Sequence, residues 1–247
     1  MKITGEKKAI LLRPGFWFGV AFFITVVLSI IWATARLNDW LKDEQRLPVQ
    51  KIMIAGQRHF IKDEDVARTV RKAQPGSFFE LDVNKALAAV EAMPWVHKAS
   101  VRKEWPSTLK VYLIEQVPVA HWNSDSLLNQ QGNLFNGQMN EEQDQLPQLF
   151  GPGGSEQTAL QGYRAMQQLL DNSQLKIEEL QLSERFAWQI KLSNGIKLNI
   201  GREEFIDRVQ RFVDVYPMLV KSDRAVDYVD LRYDTGLAVG WKQKSES

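Results

Sequence analysis

The sequence contains no cysteine and only three histidines, which removes several kinds of chemistry from consideration. Without cysteine there are no disulfides, thiol nucleophiles or thiolate metal sites. Such a composition fits an extracytoplasmic domain that is stable without bridges, but does not require one. His59, His97 and His121 lie far apart, and none has a metal-ligand neighbour three or four residues away. Scattered polar positions therefore explain them better than a metal site does.

Net charge and glycine patterning exclude further classes of protein. The formal charge is only +1, which argues against a nucleic-acid-binding surface. The glycine-rich stretch 151–155 lacks the Lys-Ser/Thr pair of a P-loop, and the sequence has no GxSxG motif. We therefore predict no cofactor, no metal, no nucleic-acid partner and no catalytic residue.

Asp230 and Asp234, which flank Arg232, are the most enzyme-like pair in the chain. On one strand, residues four apart are separated by roughly 13 Å. A glycosidase carboxylate pair needs about 5 to 9.5 Å. With Arg232 between them on the same face, a ladder of charges or a surface that recognises a partner is favoured over an acid/base pair.

An uncharged apolar run, PGFWFGVAFFITVVLSIIWATA, occupies residues 14–35. As a helix it would extend about 30 Å, which matches the hydrocarbon core of a bilayer. Its aliphatic and aromatic residues together favour insertion by on the order of 5 kcal/mol. We predict a transmembrane helix. A buried helix of a soluble core would normally show a polar stripe.

A cleaved signal peptide is the stronger alternative for this segment, because Ala33-Thr34-Ala35 resembles a cleavage site. The apolar run over 16–32 is longer than the roughly 7 to 15 residues of a signal peptide, so a retained anchor is favoured. Four Lys and Arg residues precede it and three follow within 36–47. The positive-inside rule thus gives a cytoplasmic tail at 1–13, with 36–47 as a juxtamembrane linker.

The next 69 positions, 48–116, predict a small module with the order strand, helix, helix, strand, strand. A strand is predicted over 49–55 and a helix over 63–73. Asp82 is placed to cap a second helix before Pro94. Two strands follow over 96–103 and 109–115, and the second alternates apolar and polar residues.

The remainder, 117–241, predicts a sheet with covering helices, followed by a short tail at 242–247. Strands are expected over 119–122, 127–135, 175–183, 186–193 and 196–200, with a turn at Gln131-Gly132-Asn133 and a helix over 158–170. Asn194-Gly195 predicts a type I′ hairpin turn, and Phe186 is expected on the buried face of that hairpin. A helix over 203–220 carries an apolar stripe that can cover this face. Strands over 226–233 and 237–241 complete the domain.

The run VRKEWPSTLKVYLIEQVPVAHW at 101–122 resembles the POTRA module of the FtsQ/DivIB family of bacterial division proteins. QRLPVQKIMIAGQRHF at the start of the module and YVDLRYDTGLAVGW near the chain end extend the resemblance, which is closest to gamma-proteobacterial members. It implies an α+β fold, with one transmembrane helix, a POTRA domain and a C-terminal β-sheet domain with covering helices. It also implies a non-enzymatic scaffold of the divisome in the cell inner membrane, with both domains periplasmic and enriched at the division septum.

The resemblance also implies partners and the residues that contact them. Family members bind FtsB, with FtsL, around their last strands. The matching positions are Arg185, Tyr228, Asp230, Arg232, Tyr233, Thr235, Gly240 and Trp241. Thr235 stands where the family has Ser, a change that keeps the hydroxyl. Recruitment through upstream proteins such as FtsK is implied for the POTRA module, at Val101 and Lys103. Weak self-association is a further expectation.

The final stretch, TGLAVGW at 235–241, has no charge and no proline. If it forms the edge of its sheet, its unpaired backbone groups would accept a strand from a partner. From the residues alone, a free edge and an edge covered by another strand are equally compatible with this stretch. A peptidoglycan-acting enzyme and a POTRA-type outer-membrane assembly factor are the alternative functions.

Overall fold

The computed structural model of the chain describes residues 14–42, 48–137 and 145–242. The expected tail at 1–13, most of that at 242–247, and residues 43–47 of the expected linker lie outside this part of the chain. The chain divides into two compact units, one up to Ile114 and one from Glu115 onward. Each unit is described by itself below.

The apolar run forms helix α1, Pro14–Lys42, which continues past the predicted end at residue 35. Between Gly15 and Leu41 its mean hydropathy reaches 2.3, and this stretch is long and apolar enough to cross a membrane. Large side chains such as Phe18, Phe22 and Trp32 are mostly exposed. The structure therefore does not favour the alternative of a buried helix in a soluble core, because α1 does not lie in a protein core.

The rest of the first unit has the predicted order of elements. These are β1 (Lys51–Ala55), α2 (Asp63–Ala73), α3 (Val83–Glu91), β2 (Val96–Glu104) and β3 (Thr108–Glu115). The strands form a sheet in the order β1-β3-β2, with β1 parallel to β3. Strand β3 is central in this order, and its alternating Leu109, Val111 and Leu113 are fully buried in the core shared with the helices. Asp82 accepts hydrogen bonds from the backbone N–H groups of Asn84 and Lys85, which confirms the predicted cap.

The described residues of the second unit form one sheet of nine strands with two α-helices. In chain order its elements are β4 (Pro118–Trp122), β5 (Ser126–Asn129), β6 (Leu134–Phe135), β7 (Gln148–Phe150), α4 (Glu156–Asp171), β8 (Ile177–Leu182), β9 (Trp188–Leu192), β10 (Lys197–Gly201), α5 (Phe205–Val220), β11 (Val226–Asp230) and β12 (Ala238–Trp241). The strands are ordered β12-β11-β10-β9-β8-β7-β4-β5-β6. The predicted α+β class, with a sheet domain and covering helices, is confirmed.

The apolar stripes of α4 and α5 pack on one face of this sheet. Leu160 and Met166 of α4 and Phe212 of α5 are buried in the same cluster as Leu180 and Leu198 of the strands. The opposite face carries polar side chains, including Gln181, Gln189 and Asn199, which are cross-strand neighbours on β8, β9 and β10. The sheet thus has one covered face and one open face.

The hairpin of β9 and β10 forms, but the predicted turn type is wrong. The N–H of Gly195 donates to the carbonyl of Leu192 at 2.8 Å, so Ser193 and Asn194 are the central turn residues. Of Asn194 and Gly195, only Gly195 has a positive φ, 87°, whereas a type I′ turn needs two such residues. The turn is a three-residue loop with Gly195 in the bulge position.

Three strand boundaries also differ from prediction. Phe186 is not on the buried face of the hairpin, because it lies in the β8–β9 turn with φ 59° and is 48% exposed. The predicted stretch 127–135 forms two strands, β5 and β6, and the turn predicted at 131–133 lies between them, with Gly132 at positive φ. The predicted strand 226–233 ends at Asp230, which pairs with Ala238, and residues 231–237 form the loop that connects β11 to β12.

Candidate partner-binding surface

Strand β12 is an edge of the nine-stranded sheet and pairs with β11 alone among the described residues. The N–H of Lys242 donates to the carbonyl of Ala225 on the β11 side, at 2.8 Å. Backbone groups of successive strand residues alternate in direction, so those of Gly240 and Ala238 also face β11. Those of Val239 and Trp241 therefore point away from the sheet. We call this row of outward backbone groups the β12 edge.

The side chains of β12 divide between the two faces of the sheet. Val239 and Trp241 are half-buried against the core, next to Leu237. Ala238 and Gly240 consequently lie on the open face. There Gly240 is paired with Tyr228 of β11, whose ring lies directly over it. Tyr228 is 43% exposed, so its ring and the glycine together form part of the surface beside the edge.

The two predicted aromatic anchors have different surroundings. Trp241 packs against the core on one side, and the guanidinium of Arg224 lies 5.5 Å from its ring centroid. Tyr233, in the loop between β11 and β12, is 56% exposed. Tyr233 can therefore be covered by a partner without rearrangement, whereas Trp241 offers only its outer rim.

The loop at 231–237 carries Tyr233 and Thr235 and is held by Arg211 of α5. The Nη1 group of Arg211 donates to the carbonyls of Tyr233, at 2.8 Å, and Gly236, at 3.0 Å. A guanidinium presents several donors in a rigid plane, which suits it to two carbonyls at once. The exposed hydroxyl-bearing Thr235 lies between these two fixed points.

Asp230 and Arg232 form a tight pair at the start of the same loop. Arg232 donates to the Asp230 carboxylate through Nε, at 2.9 Å, and Nη2, at 2.6 Å, and its backbone N–H donates at 3.1 Å. These hydrogen bonds hold the pKa of Asp230 below its ordinary value, and the charges of Arg232 and Arg208 act in the same direction. The side chain of Arg232 is still 64% exposed.

Asp234 does not complete a ladder of charges with Asp230. Its side chain is 95% exposed, and its nearest cation is Arg208 of α5, at 4.0 Å. Arg208 is itself buried and donates to the carbonyl of Ile200 at 2.8 Å. Among the described residues no ion pair joins Asp234 to Arg232, so the ladder of charges does not form, and the alternative, a surface that recognises a partner, stays a prediction.

Arg185 lies in the turn between β8 and β9 and is exposed. Strand β9 starts opposite the end of β10, and β10 runs parallel to β11. Arg185 therefore lies at the same end of the sheet as Arg232, with β10 between their strands. The structure thus gathers the residues predicted on β11, the loop and β12 at one corner, and places Arg185 farther along the same end.

From the sequence we did not identify Arg211, which holds the loop, or Arg224, which lies over the ring of Trp241. Arg211 directly precedes Phe212, a buried member of the apolar stripe of α5. An arginine at the border of an apolar helix stripe can be predicted to extend along the rim of the core and bind nearby backbone. The sequence does not show which carbonyls it would bind.

The two residues predicted for recruitment lie on β2, an edge strand of the first unit. Val101 is 8% exposed and packs in the core of that unit, so its side chain is not part of a surface. Lys103 donates from Nζ to the carbonyl of Phe79 at 3.0 Å. Val101 was predicted here from the family resemblance, which does not show which face of β2 is packed against the helices.

Among residues 14–42, 48–137 and 145–242, no group of three His, Cys, Asp or Glu residues is placed to hold a metal ion. His121 is buried in the sheet of the second unit. The candidate surface is thus a strand edge with aromatic and charged neighbours.

Comparison with known proteins gives matches along both units. A family model described as POTRA domain, FtsQ-type, matches residues 47–116, and one described as cell division protein FtsQ/DivIB, C-terminal, matches residues 120–232. The second match ends at Arg232, so residues 233–237 of the loop and all of β12 lie beyond it.

Curated relatives named cell division protein FtsQ align with most of the chain. One from Shewanella oneidensis is 41% identical, over 91% of this chain and 86% of its own length. One from Escherichia coli K12 is 39% identical, over 90% and 83%. One from Vibrio cholerae is 38% identical, over 92% and 88%. The chain therefore belongs to the FtsQ/DivIB family of cell division proteins.

Proposed function

We propose that this protein is a non-enzymatic scaffold of the divisome that captures FtsB, together with FtsL, by adding a partner strand to the β12 edge. Residues 14–35 cross the inner membrane from a cytoplasmic tail at 1–13. A linker at 36–47, a POTRA domain at 48–116 and a sheet domain at 117–241 with a tail at 242–247 lie in the periplasm. The scaffold acts at the division septum and joins early division proteins to septal peptidoglycan synthesis.

The β12 edge is the observation that carries this proposal. Val239 and Trp241 direct donors and acceptors outward, and an added strand would satisfy both. The edge has no proline or charged residue between Ala238 and Trp241 to discourage pairing. Backbone hydrogen bonds would supply affinity without specifying a sequence, so the side chains beside the edge must determine which partner strand binds.

Those side chains favour a partner segment with an acidic and an apolar part. Arg232 keeps most of its guanidinium exposed although it holds Asp230, and Arg185 is exposed at the same end of the sheet. Both can receive carboxylates from the partner. Tyr233 and Tyr228 offer exposed rings for apolar contacts. Rings of this kind commonly dominate the energy of an interface.

The POTRA module is proposed to recruit the chain through an upstream protein such as FtsK. Lys103 and the outer backbone of β2 are the accessible groups at the predicted positions. Val101 would act indirectly, by fixing the position of β2 through its buried contacts. The same β12 edge also provides a route for weak self-association, in which two copies compete with FtsB for one strand position.

The test replaces Val239 with proline. Proline removes the outward N–H of this residue but none that faces β11, and edge strands tolerate it at such positions. We expect Val239→Pro to abolish FtsB capture by the purified chain. Val239→Ala, the matched control, loses the half-buried side chain but keeps the N–H, and we expect it to retain capture. Equal capture by both variants, with both folded, would reject strand addition.

A further inference from the structure

Three aromatic side chains cluster at one end of the first unit, and two of them are exposed. The rings of Phe79 and Trp105 are 5.2 Å apart, and each lies 5.9 Å from the ring of Phe78. Phe78 is 1% exposed, whereas Phe79 is 36% exposed and Trp105 is 70% exposed. We call Phe79 and Trp105, with Phe78 beneath them, the aromatic patch.

The patch is held in place by Lys103, which joins its two segments. Nζ of Lys103 donates to the carbonyl of Phe79 at 3.0 Å and lies 5.4 Å from the centroid of Phe78. Partial burial lowers the pKa of Lys103, and the nearby charge of Asp82 opposes this effect. The exposed rings are therefore presented on a fixed surface, and an ordered apolar surface loses little entropy when it is covered.

The same end of the unit receives the end of α1. The Oγ of Ser77, next to Phe78, donates to the carbonyl of Leu41 at 2.7 Å, and Ser77 is fully buried. The turn that follows Trp105 contacts the point where the chain enters the unit, since the N–H of Gln50 donates to the carbonyl of Ser107 at 3.0 Å. Both segments that form the patch therefore adjoin the stretch that leads from the apolar helix.

Dimensions place this end at the surface of the membrane that α1 is proposed to cross. The 29 residues of α1 extend about 43 Å as a helix. A bilayer is about 30 Å thick in its hydrocarbon core and about 40 to 45 Å with its headgroup layers. Leu41, near the end of α1, accordingly lies at the level of the headgroups. Trp rings are enriched at that level because they combine an apolar body with one N–H donor.

We propose that the aromatic patch inserts into the phospholipid headgroup layer next to α1 and holds the first unit against the bilayer. This inference rests on the proposed membrane anchor. The continuity of the patch with the end of α1 favours a lipid surface over a protein partner. Nearby charges have both signs, Lys103 and Glu104 among them, so insertion depends on the rings rather than on attraction to anionic lipid.

A depth measurement on the full chain tests the proposal, and the absence of native cysteine makes single labels unambiguous. The chain is reconstituted in vesicles of phosphatidylethanolamine and phosphatidylglycerol that contain a headgroup-nitroxide lipid. A fluorophore is attached at Glu104→Cys, beside Trp105. The control label is at Glu64→Cys, in the first turn of α2, a helix whose last turn leads toward Ser77. Its 11 residues separate the two ends by about 16 Å.

We expect the nitroxide to quench the label at position 104 more than the label at position 64. Trp105→Glu should remove this difference, because an aromatic ring gains free energy on moving from water to the membrane interface, whereas a carboxylate does not. Trp105→Phe, the matched control, should keep it. Trp105 is mostly exposed, so neither substitution removes a core side chain, and an unchanged signal at position 64 checks that the unit stays folded.

Equal quenching at positions 104 and 64, or a difference that persists in Trp105→Glu, would overturn the docking. Flotation of the vesicles separates this result from failure of the anchor. A chain that floats with the vesicles but shows equal quenching is anchored without docking. A chain that does not float would refute the anchor and the docking together.

Discussion

The substitution Gly240→Ala probes the surface formed by Tyr228 and Gly240 at its tightest point. A Cβ atom built on Gly240 would lie 2.5 Å from Cδ1 and 2.6 Å from Cζ of Tyr228, so the ring would have to leave its position. Overpacking of this kind costs about 1 to 3 kcal/mol. Alanine in place of glycine within a strand returns roughly 0.5 to 1 kcal/mol. We expect a net loss of about 1 kcal/mol in the free energy of unfolding.

The sign of this effect should reverse when the ring is absent. In a Tyr228→Ala background no ring blocks the new methyl group, so Gly240→Ala should stabilise the chain by roughly 0.5 kcal/mol or more. Urea unfolding of the four chains in a double-mutant cycle measures the difference, and hydrogen exchange of the β12 amides localises it. Gly236→Ala is the control, since no atom lies within 4 Å of a Cβ at that position.

An equal loss in both backgrounds would show that the ring of Tyr228 does not lie over Gly240. Partner capture provides a second reading of the same cycle. If the two residues form one binding surface, the loss of FtsB capture in the single variants should not be additive in the double variant.

Two further perturbations address the loop beside β12. Two of the loop's carbonyls, those of Tyr233 and Gly236, lose their hydrogen bonds in Arg211→Ala, and we expect hydrogen exchange of the loop and β12 amides to accelerate by about tenfold, which corresponds to about 1.4 kcal/mol. The exposed control Arg202→Ala should leave exchange unchanged. Unchanged exchange in Arg211→Ala would show that the loop does not depend on this contact. Asp230 has a lowered pKa because Arg232 binds its ionised form. The stability that this carboxylate contributes is therefore fully present above the ordinary aspartate pKa of about 3.9, and it is lost as pH falls through the lower pKa of the folded state. Asp230→Asn should therefore flatten the acid limb of a plot of stability against pH, and an unaltered limb would contradict this assignment.

Local patterns predicted most of the helices and strands. Helix α2 matches its predicted range, and α3 begins directly after its predicted cap, Asp82. These successes have one cause, since apolar periodicity and caps act between residues a few positions apart. The type of the turn between β9 and β10 was predicted less completely. Asn194-Gly195 correctly marked a hairpin, but the dipeptide did not reveal that only Gly195 would take a positive φ.

The candidate surface was predicted in part, and mainly through the family resemblance. Tyr228, Arg232 and Trp241 do lie at one corner of the sheet, whereas Val101 proved to be a core residue. The roles of Arg211 and Arg224 could not be predicted, because they depend on how α5 approaches the loop at Tyr233 and how the turn before β11 approaches Trp241 of β12.

The sequence by itself determined the apolar helix and the apolar faces of the longer elements, because each follows from interactions within a few residues. Only the tertiary structure decided that β12 is an edge, since the order of strands in a sheet is set by contacts between distant segments. The same holds for the aromatic patch, where Phe79 and Trp105 meet although 25 residues separate them in the chain. Phe79 lies between α2 and α3 and Trp105 lies between β2 and β3, so their contact depends on how the helices pack on the sheet, which no local pattern encodes.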